Sequence, residues 1–365
     1  MKILVLNYEF PPLGGGASPV TYDICQELTK RGHKVDVVTM GYKGLKKYEK
    51  NNVRIYRVES LRRKVATSNF IEMFAYTITG YLKCKELVKK KNYDLVHVHF
   101  IIPTAIIAFI LKKQFNLKYI ITSHGSDVPG YNPDRFILLH KLIRPIWGVV
   151  IKNADYITTP SEFLKELILR NIEVDNIRVI PNGINYKKIK IAEKEKIILY
   201  AGRLFKRKGV QYLLKAVHLL PKDWKVMIVG EGDYKKELVT LSKKIDANIE
   251  FTGWVDKQHL YGIYKKSSIF VFPSSEESFG LVLAEAMMYS NAIITTKDTA
   301  CEEVVKDSGI LVRKKNYKAI RSAIDSLIRN PIRLKKYQNK AKRRAMDFSW
   351  DKIINQYVSL YDKTT

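Results

Sequence analysis

The sequence predicts an α/β protein with two consecutive, doubly wound domains, each built on a parallel sheet. Three observations support this fold class. The chain has 365 residues, which exceeds the usual size of a single core. Short segments rich in Val, Ile and Leu alternate with longer segments of helical spacing. This β-α-β alternation pauses near residues 179–183 and then starts again.

The first domain is predicted over residues 1–180. Its strands are nearly continuous apolar segments, as in strands buried on both faces of a parallel sheet, at residues 3–7, 35–39, 53–58, 95–99 and 119–123. Helical spacing covers residues 19–31 and 72–91. The first apolar segment is too short for a signal peptide, and Glu9 with the following Pro-Gly loop ends it. We therefore expect a buried first strand.

The second domain is predicted over residues 181–345, with residues 346–365 forming a last helix. Its predicted strands are residues 197–201, 225–229, 249–252, 269–272 and 292–295. Its predicted helices are residues 209–220, 234–244, 258–266 and 280–289, followed by a basic helical region to residue 360. Two such Rossmann-like domains predict a cleft, with the strand ends of both domains facing a ligand.

Composition restricts the class of protein and its partners. No run of eighteen apolar residues occurs, so no membrane-spanning helix is predicted. The three cysteines are far apart, without disulfide or metal-ligand spacing, so a cytoplasmic, reducing setting is expected. The net charge of +28 favours anionic partners: nucleotide sugars, anionic membrane surfaces or nucleic acid. A lysine-rich or thermophilic source is the alternative explanation of the charge.

A glycine-rich loop, residues 11–17, follows the first predicted strand and precedes a helix. Gly14, Gly15 and Gly16 let the backbone approach a ligand closely, and the start of the helix offers amides to a phosphate. The spacing differs from the Gly-x-Gly-x-x-Gly motif of dinucleotide-binding proteins. A plain flexible turn is the alternative interpretation.

A second strand-to-helix loop, residues 202–209, carries two cations. Arg203 and Lys208 flank the same turn after Gly202. The helix dipole disfavours cations at a helix start, so their presence there indicates an anionic ligand. A basic surface loop is the alternative.

A third segment, residues 273–286, carries two carboxylates eight positions apart. Glu277 precedes a predicted helix and Glu285 lies on it. Carboxylates accept hydrogen bonds from the adjacent hydroxyls of ribose and hexose rings. The amides of Phe279, Gly280 and Leu281 at the helix start suit a diphosphate. Each glutamate alone could instead have a structural role.

Histidines lie at the ends of two predicted strands of the first domain. His124 follows Ser123 at a strand end, which is a usual place for working side chains. His97 and His99 point the same way along another strand, but no third metal ligand matches them, so no metal site is predicted. The chain also lacks an Asp-x-Asp pair. Arginine, lysine and amide dipoles would then stabilise a departing diphosphate.

These residues resemble glycosyltransferase family 4, the retaining group with the two-domain GT-B fold. The resemblance covers nearly the whole chain in the right order. The matching motifs are the glycine loop, His124-Gly125, Pro181-Asn182-Gly183, Gly202-Arg203 with Lys208, Gly230-Glu231-Gly232, and Glu277 to Glu285. The last is the family's Glu-x7-Glu signature. Asn185 stands where the family often has Asp, so no role is carried over to that position.

The resemblance implies a role for each site residue. Glu277 and the amides of residues 279–281 would hold the sugar hydroxyls and the diphosphate, and Glu285 would hold the ribose. Arg203 and Lys208 would stabilise the leaving diphosphate. The remaining donor-binding positions implied by the family are His124 against the sugar, the amides of Gly15 and Gly16 at the phosphate, Gly202 and Gly230 in the loops, and Val255 near the base. The last helix would cross back onto the first domain.

The implied reaction transfers a hexose-type sugar from a UDP- or GDP-sugar, with retention of the anomeric configuration and without a metal or other cofactor. The leaving diphosphate takes the acceptor proton, so Glu277 positions the sugar and does not attack it. The expected acceptor is a lipid-linked or envelope glycan.

Basic and apolar segments at residues 62–64, 70–91 and 136–150 favour contact with the inner face of the cell membrane, although buried core faces explain the apolar residues equally well. Two other functions stay open. A nucleotide-sugar epimerase of the same architecture would need no acceptor. A non-catalytic carbohydrate- or nucleic-acid-binding protein would not need both cations and both carboxylates. No nucleic-acid-binding module is recognisable, so no nucleic-acid partner is expected.

Overall fold

A computed structural model describes residues 1–131, 137–186 and 193–365. For residues 137–142 it describes the backbone but not the side chains. The chain forms two compact units. The first unit contains Met1–Gly183 together with Trp350–Thr365, and the second contains Ile184–Ser349. Part of the apolar stretch at residues 136–150, including Phe136, lies outside the described residues.

The first unit is built on an eight-stranded sheet in the order β3-β4-β2-β1-β5-β6-β7-β8. Its strands are β1 (Lys2–Leu6), β2 (Lys34–Met40), β3 (Tyr48–Lys50), β4 (Arg54–Val58), β5 (Leu95–His99), β6 (Tyr119–Thr122), β7 (Tyr156–Thr159) and β8 (Ile177–Val179). Its first helices are α1 (Ala17–Lys30), α2 (Phe70–Lys90), α3 (Thr104–Phe115), α4 (Ile137–Lys152) and α5 (Glu162–Leu169). All described strand pairs are parallel except β3 with β4.

The second unit is built on a six-stranded parallel sheet in the order β11-β10-β9-β12-β13-β14. Its strands are β9 (Glu195–Ala201), β10 (Lys225–Val229), β11 (Asn248–Gly253), β12 (Ser267–Phe272), β13 (Ala292–Thr296) and β14 (Gly309–Val312). Its helices are α6 (Val210–Ala216), α7 (Lys235–Ser242), α8 (Lys257–Lys266), α9 (Leu281–Met288), α10 (Ala300–Val305), α11 (Tyr317–Ile328) and α12 (Pro331–Ala345).

The last helix, α13 (Trp350–Thr364), belongs to the first unit. It packs against α1, where Arg31 lies 3.6 Å from the carboxylate of Asp351. The hydroxyl of Tyr361 lies 2.7 Å from Nδ1 of His97 in the buried core. A Cβ on Gly183 would lie 2.3 Å from the Trp350 ring, so only glycine allows this contact. Gly183 is the last residue of the Pro-Asn-Gly segment that the resemblance includes.

The predicted α/β class with two parallel sheets is confirmed. One helix is shorter than predicted: α6 ends at Ala216, and the chain reverses at Leu219, which has a positive φ of 58°. The strands β3, β7, β8 and β14 were not among the predicted strands, because runs of three or four residues carry little periodicity. Within the basic helical region predicted up to residue 360, Asn330 is the N-cap of α12, and its side chain accepts from the amide of Arg333.

Candidate functional site

The working edge of the first unit is the edge where β1, β5 and β6 end. The three strands are adjacent and parallel, so the loops that follow them meet at the same side of the sheet. The glycine loop follows β1, Phe100 follows β5, and His124 follows β6. The fold thus brings two of the predicted motifs of the first unit to one edge.

The glycine loop is shaped by backbone bonds and one carboxylate. The amide of Gly14, which has a φ of 97°, donates to the carbonyl of Val65. The amide of Gly15 donates to the Glu9 carboxylate at 3.1 Å, so this amide already binds an anionic oxygen. Gly16 is exposed, has an ordinary φ of −62°, and caps α1 without a side-chain hydrogen bond. A Cβ at Gly16 would meet nothing within 4 Å, so the fold itself does not require glycine there.

Two buried arginines donate hydrogen bonds to backbone carbonyls in and next to this loop. The guanidinium of Arg57 donates to the carbonyl of Pro11 at 2.8 Å. Arg62 donates to the carbonyl of Tyr8 at 3.2 Å and to that of Val65 at 3.0 Å. The glycine loop and the segment before α2 are therefore tied into one structure.

The His124 turn is organised by Asp127. One oxygen of this buried carboxylate accepts from the Ser123 hydroxyl and from the amides of His124 and Gly125, at 2.9–3.1 Å. The other oxygen accepts from the amide of Ile101 at 2.8 Å. Burial raises the pKa of Asp127, and the hydrogen bonds from Ile101, Ser123 and His124, with one from the backbone amide of Asp127 itself, oppose the rise. The backbone of the turn is thereby fixed.

Three histidine rings lie together behind that turn. His97 and His99 are fully buried and His124 is half-buried. Nε2 of His97 lies 2.8 Å from the Thr122 hydroxyl, and Nδ1 of His99 lies 3.0 Å from Nε2 of His124. Burial lowers the pKa of His97 and of His124 to about 3, and burial with the neighbouring rings lowers that of His99 well below its ordinary value. All three rings are therefore neutral at neutral pH.

The working edge of the second unit is formed by the ends of β9, β10, β11 and β12, which are neighbours in one parallel sheet. Gly202 follows β9 and Gly230 follows β10. Their backbones touch: a Cβ on Gly230 would lie 1.9 Å from the Gly202 carbonyl oxygen. Gly230 also has a φ of 135°, in the region that favours glycine. Glycine is therefore needed for packing at position 230, and at position 202 the φ of 152° and the Tyr200 hydroxyl, 3.1 Å from an added Cβ, also favour it.

The predicted cations lie after β9, but they do not make the same contacts. Lys208 forms an ion pair with Glu277, and both side chains are largely buried. Arg203 is exposed, and its guanidinium lies 5.8 Å from the centre of the Phe205 ring. The carbonyl of Arg207 accepts from the amide of Ser275 at 2.9 Å, which joins the loop after β9 to the loop that carries Glu277. The contact between the two loops therefore holds Lys208 and Glu277 together.

Helix α9 begins at Leu281, four residues after Glu277 of this ion pair. Gly280, with a φ of 85°, is the N-cap, and no side chain caps the helix. Phe279 is buried and packs edge-on against Phe348, with ring centres 5.4 Å apart. Leu281 is the first helical residue and is half-buried. Because no side chain caps the helix, its first backbone amides can donate to an anion.

Glu285 is half-buried on α9, one helical turn beyond that end. Burial raises the pKa of Tyr264, and the Glu285 carboxylate raises it further by its charge and by a hydrogen bond. The carboxylate is thereby held by a neighbouring hydroxyl. Val255 lies in the loop after β11, half-buried and next to Trp254, whose side chain is exposed.

Several supporting residues were missed in the sequence. Glu9 and Asp127 bind loop amides, and Tyr264 lies beside Glu285. Cys301 is buried, and burial, together with the Glu277 charge, raises its pKa to about 12. None of these residues belongs to a motif with a recognisable spacing, so the sequence alone does not indicate them. Among the described residues, no group of three or more His, Cys, Asp or Glu side chains could hold a metal ion.

Two family models match this chain. Residues 14–188 match the family described as Glycosyltransferase Family 4. Residues 183–344 match the family described as Glycosyl transferases group 1. Between them the two matches cover both units from the glycine loop to the last turn of α12.

One similar protein is an uncharacterized glycosyltransferase of Methanocaldococcus jannaschii. It is 28% identical, over 99% of this chain and 98% of the relative. Among solved structures, sucrose-phosphate synthase from Thermosynechococcus elongatus has a TM-score of 0.84 at 22% identity, covering 99% of this chain and 98% of the other.

The Anabaena protein HepE, in complex with UDP and glucose, has a TM-score of 0.78 at 16% identity, with both chains covered completely. Both structural likenesses show the GT-B fold. With the family matches over residues 14–344 and the motifs in place, this chain belongs to glycosyltransferase family 4.

Proposed function

We propose that this glycosyltransferase moves a hexose-type sugar from a nucleotide-diphosphate sugar to a lipid-linked or envelope-glycan acceptor, with retention of configuration and without a metal ion. The observation that carries the proposal is in the second unit. An uncapped helix start, a paired Lys208 and Glu277, an exposed Arg203 and the carboxylate of Glu285 follow neighbouring strands of one sheet. This set offers cations and amides to a diphosphate and carboxylates to hydroxyls.

The reaction follows from these groups. The bond between the anomeric carbon and the phosphate oxygen breaks, and the acceptor oxygen forms a new bond to the same carbon. The acceptor proton passes to an oxygen of the leaving diphosphate. Arg203, Lys208 and the amides of residues 279–281 stabilise the charge on that group. Glu277 and His124 hold the sugar, Gly15 and Gly16 approach the phosphate, and no cofactor takes part.

The Lys208–Glu277 ion pair gives this proposal a specific consequence. Both side chains are largely buried, so removal of one charge leaves the other without its partner. A bound diphosphate would supply Lys208 with a second anionic partner, and the sugar hydroxyls would donate to Glu277. The site is therefore neutralised when empty and does not need to bury a lone charge.

A donor screen tests the proposal. Wild-type protein is mixed with UDP-, GDP- and ADP-sugars in EDTA, and thermal shift and nucleotide release are measured. We start with UDP-sugars because HepE binds UDP. Glu277→Gln should lower turnover by roughly 100-fold, in the range seen for loss of one preorganised polar group. Glu276→Gln is the matched control, because Glu276 is the adjacent carboxylate and lies 4.0 Å from Arg207.

Two results would count against the proposal. One is equal loss of turnover in the two variants, since Glu276 has no assigned role in the site. The other is tight binding without any release of nucleotide, with every acceptor extract tried, which would favour the non-catalytic binding protein. An epimerase would release nucleotide from the donor without any acceptor.

The membrane part of the proposal rests on one face of α2. Phe74, Ile78 and Leu82 are spaced four residues apart and are 48–59% exposed, and Ile71 is 68% exposed. The opposite face of the helix, including Tyr76, is buried in the first unit. We call the exposed residues 71, 74, 78 and 82 the α2 stripe. Apolar side chains in one row on the outside of a helix are typical of a docking surface.

Cations lie beside the α2 stripe. Arg63 and Lys64 are exposed, and the backbone amide of Arg63 donates to the Glu72 carboxylate in the first turn of α2. Lys85 and Lys89 lie further along the same helix. An apolar row flanked by cations, in a chain of net charge +28, suits an anionic bilayer surface. Among the described residues, no helix is long and apolar enough to cross a membrane.

The α2 stripe also begins a few residues along the chain after the segment that contacts the glycine loop. Val65, in the segment just before α2, accepts from the amide of Gly14 in the glycine loop. A bilayer contacted by α2 would therefore lie close to the loop that the proposal assigns to the donor phosphate. This supports a lipid-linked acceptor over a freely diffusing one.

Vesicle co-sedimentation tests this surface. The protein is expected to bind vesicles of phosphatidylglycerol and not those of phosphatidylcholine alone. The double change Phe74→Ser with Ile78→Ser should weaken binding by at least roughly tenfold, because each buried side chain contributes about 1.5–3 kcal/mol. The control is Ile332→Ser, a change of an 83%-exposed residue of the second unit. Equal binding by the double variant and the wild type would overturn the membrane proposal.

A further inference from the structure

Among the clustered rings of His97, His99 and His124, one hydrogen bond has a direction that follows from the surroundings of the rings. Nδ1 of His99 lies 3.0 Å from Nε2 of His124, and the two rings are stacked within 18°. A neutral imidazole carries one proton, on one of its two nitrogens. The bond therefore has two possible directions, and each fixes where both rings hold their protons.

The environment of His99 decides between the two directions. Its other nitrogen, Nε2, is buried and has no hydrogen-bond partner among the described residues. If His124 donated, the proton of His99 would have to sit on this Nε2, as a buried donor without an acceptor. If His99 donates, its Nε2 carries only a lone pair. Orphaned buried N–H groups are rarer and costlier than unfilled acceptors, so donation from His99 is favoured.

We propose that His99 is a positioning residue: its Nδ1–H donates to Nε2 of His124 and so holds the proton of His124 on Nδ1. His124 then presents an N–H donor, and not a lone pair, to an oxygen of the bound sugar. This inference rests on the proposed function, because that function places His124 against the donor sugar. The neutrality of both rings, caused by burial, is consistent with it.

The neighbouring His97 supplies a contrast. Its Nε2 lies 2.8 Å from the Thr122 hydroxyl and its Nδ1 lies 2.7 Å from the Tyr361 hydroxyl, so both of its nitrogens have partners away from His124. His97 and His99 are both fully buried on β5. A change at His97 therefore disturbs the same core without removing the hydrogen bond to His124.

The experiment measures the tautomer of His124 directly. Protein labelled with ¹⁵N-histidine has seven histidines, and the His124 signals are identified by their loss in His124→Gln. In the wild type we expect a protonated Nδ1 on His124. His99→Asn keeps a donor near the Nδ1 position and should keep this tautomer. His99→Leu removes the donor and should shift His124 towards protonation on Nε2, whereas His97→Gln should leave His124 unchanged.

Turnover is the second readout. His99→Leu should lower kcat by roughly tenfold, the loss expected for one neutral hydrogen bond, with nucleotide affinity unchanged and with His99→Asn close to the wild type. An unchanged His124 tautomer in His99→Leu would overturn the inference, and so would a wild-type His124 protonated on Nε2. If His99→Leu does not fold, a shifted tautomer in His99→Asn overturns it as well. A wild type that transfers no sugar refutes the proposed function alone, because the tautomer measurement needs no substrate.

Discussion

Gly16→Ala separates the demands of the fold from those of the donor. Gly16 has a helical φ of −62°, is exposed, and would meet nothing within 4 Å with a Cβ added. Alanine at such a position should change the stability of the first unit by less than about 1 kcal/mol, because the gain from restricting the unfolded chain is opposed by the preference for glycine over alanine at an N-cap. For a unit of roughly 200 residues this keeps Tm within about 4 °C of the wild-type value.

The same methyl group should harm donor binding. In the proposed function the amides of Gly15 and Gly16 approach the donor phosphate, and the open space at Gly16 is where that group would lie. A methyl group in that space would keep the phosphate away from the loop amides. A hydrogen bond to a charged group contributes about 1.5–3 kcal/mol, so the loss of one such bond should raise the donor KM by roughly 10- to 100-fold. The variant is thus expected to be about as stable as the wild type and less active.

The matched control is Gly262→Ala. Gly262 is exposed in α8, and a Cβ there also meets nothing within 4 Å. It should gain stability, roughly 1 kcal/mol for a glycine inside a helix, with an unchanged donor KM. Urea denaturation and steady-state kinetics on both variants give the comparison. A donor KM for Gly16→Ala within twofold of the control would refute the assignment of this loop to the phosphate.

Three further outcomes are expected. Glu285→Ala should weaken nucleotide binding, measured by calorimetry, by roughly tenfold or more, since a charged acceptor is lost; unchanged affinity would remove Glu285 from the site. Gly230→Ala should destabilise the second unit by at least about 1–3 kcal/mol, because the new Cβ would lie 1.9 Å from the Gly202 carbonyl at a φ of 135°; a wild-type urea midpoint would contradict this. Stability should also fall as the pH drops below 6.5, because the unfolded chain then binds a proton that buried His97, with a pKa of about 3, does not. This one group contributes a slope of up to ~1.4 kcal/mol per pH unit, and a flat urea midpoint between pH 6.5 and 4.5 would contradict the burial of the neutral ring.

The fold was predictable because the strands of both sheets are nearly continuous apolar segments. The loops that carry Gly16, Arg203 and Glu277 were predictable for a related reason: they follow such strands directly. Their side-chain contacts were not. The Lys208–Glu277 pair joins residues 69 positions apart, and the bond between His99 and His124 joins residues 25 positions apart. Such contacts depend on strand order in the sheet, which periodicity does not reveal.

For some predicted residues, the contacts in the structure change the role assigned from the sequence. Gly230 and Gly202 were assigned to donor binding, yet their close backbone contact gives them a packing role first. Lys208 was expected to face a diphosphate, and in the structure it pairs with Glu277, so the two residues act as one group. His99 was weighed as half of a metal pair, whereas its Nδ1 lies within hydrogen-bond distance of His124. In each case the sequence singled out the residue but did not reveal which residue it contacts.

The most direct test is the rate of nucleotide release from the donor sugar, with acceptor present, in EDTA and in Mg²⁺. The account predicts equal rates in the two conditions for the wild type. It also predicts a fall of about 10²–10³ for Arg203→Ala, because one preorganised cation at the leaving group is lost. Release that requires Mg²⁺, and that survives Arg203→Ala, would contradict the claim that the side chains of the second unit stabilise the leaving diphosphate.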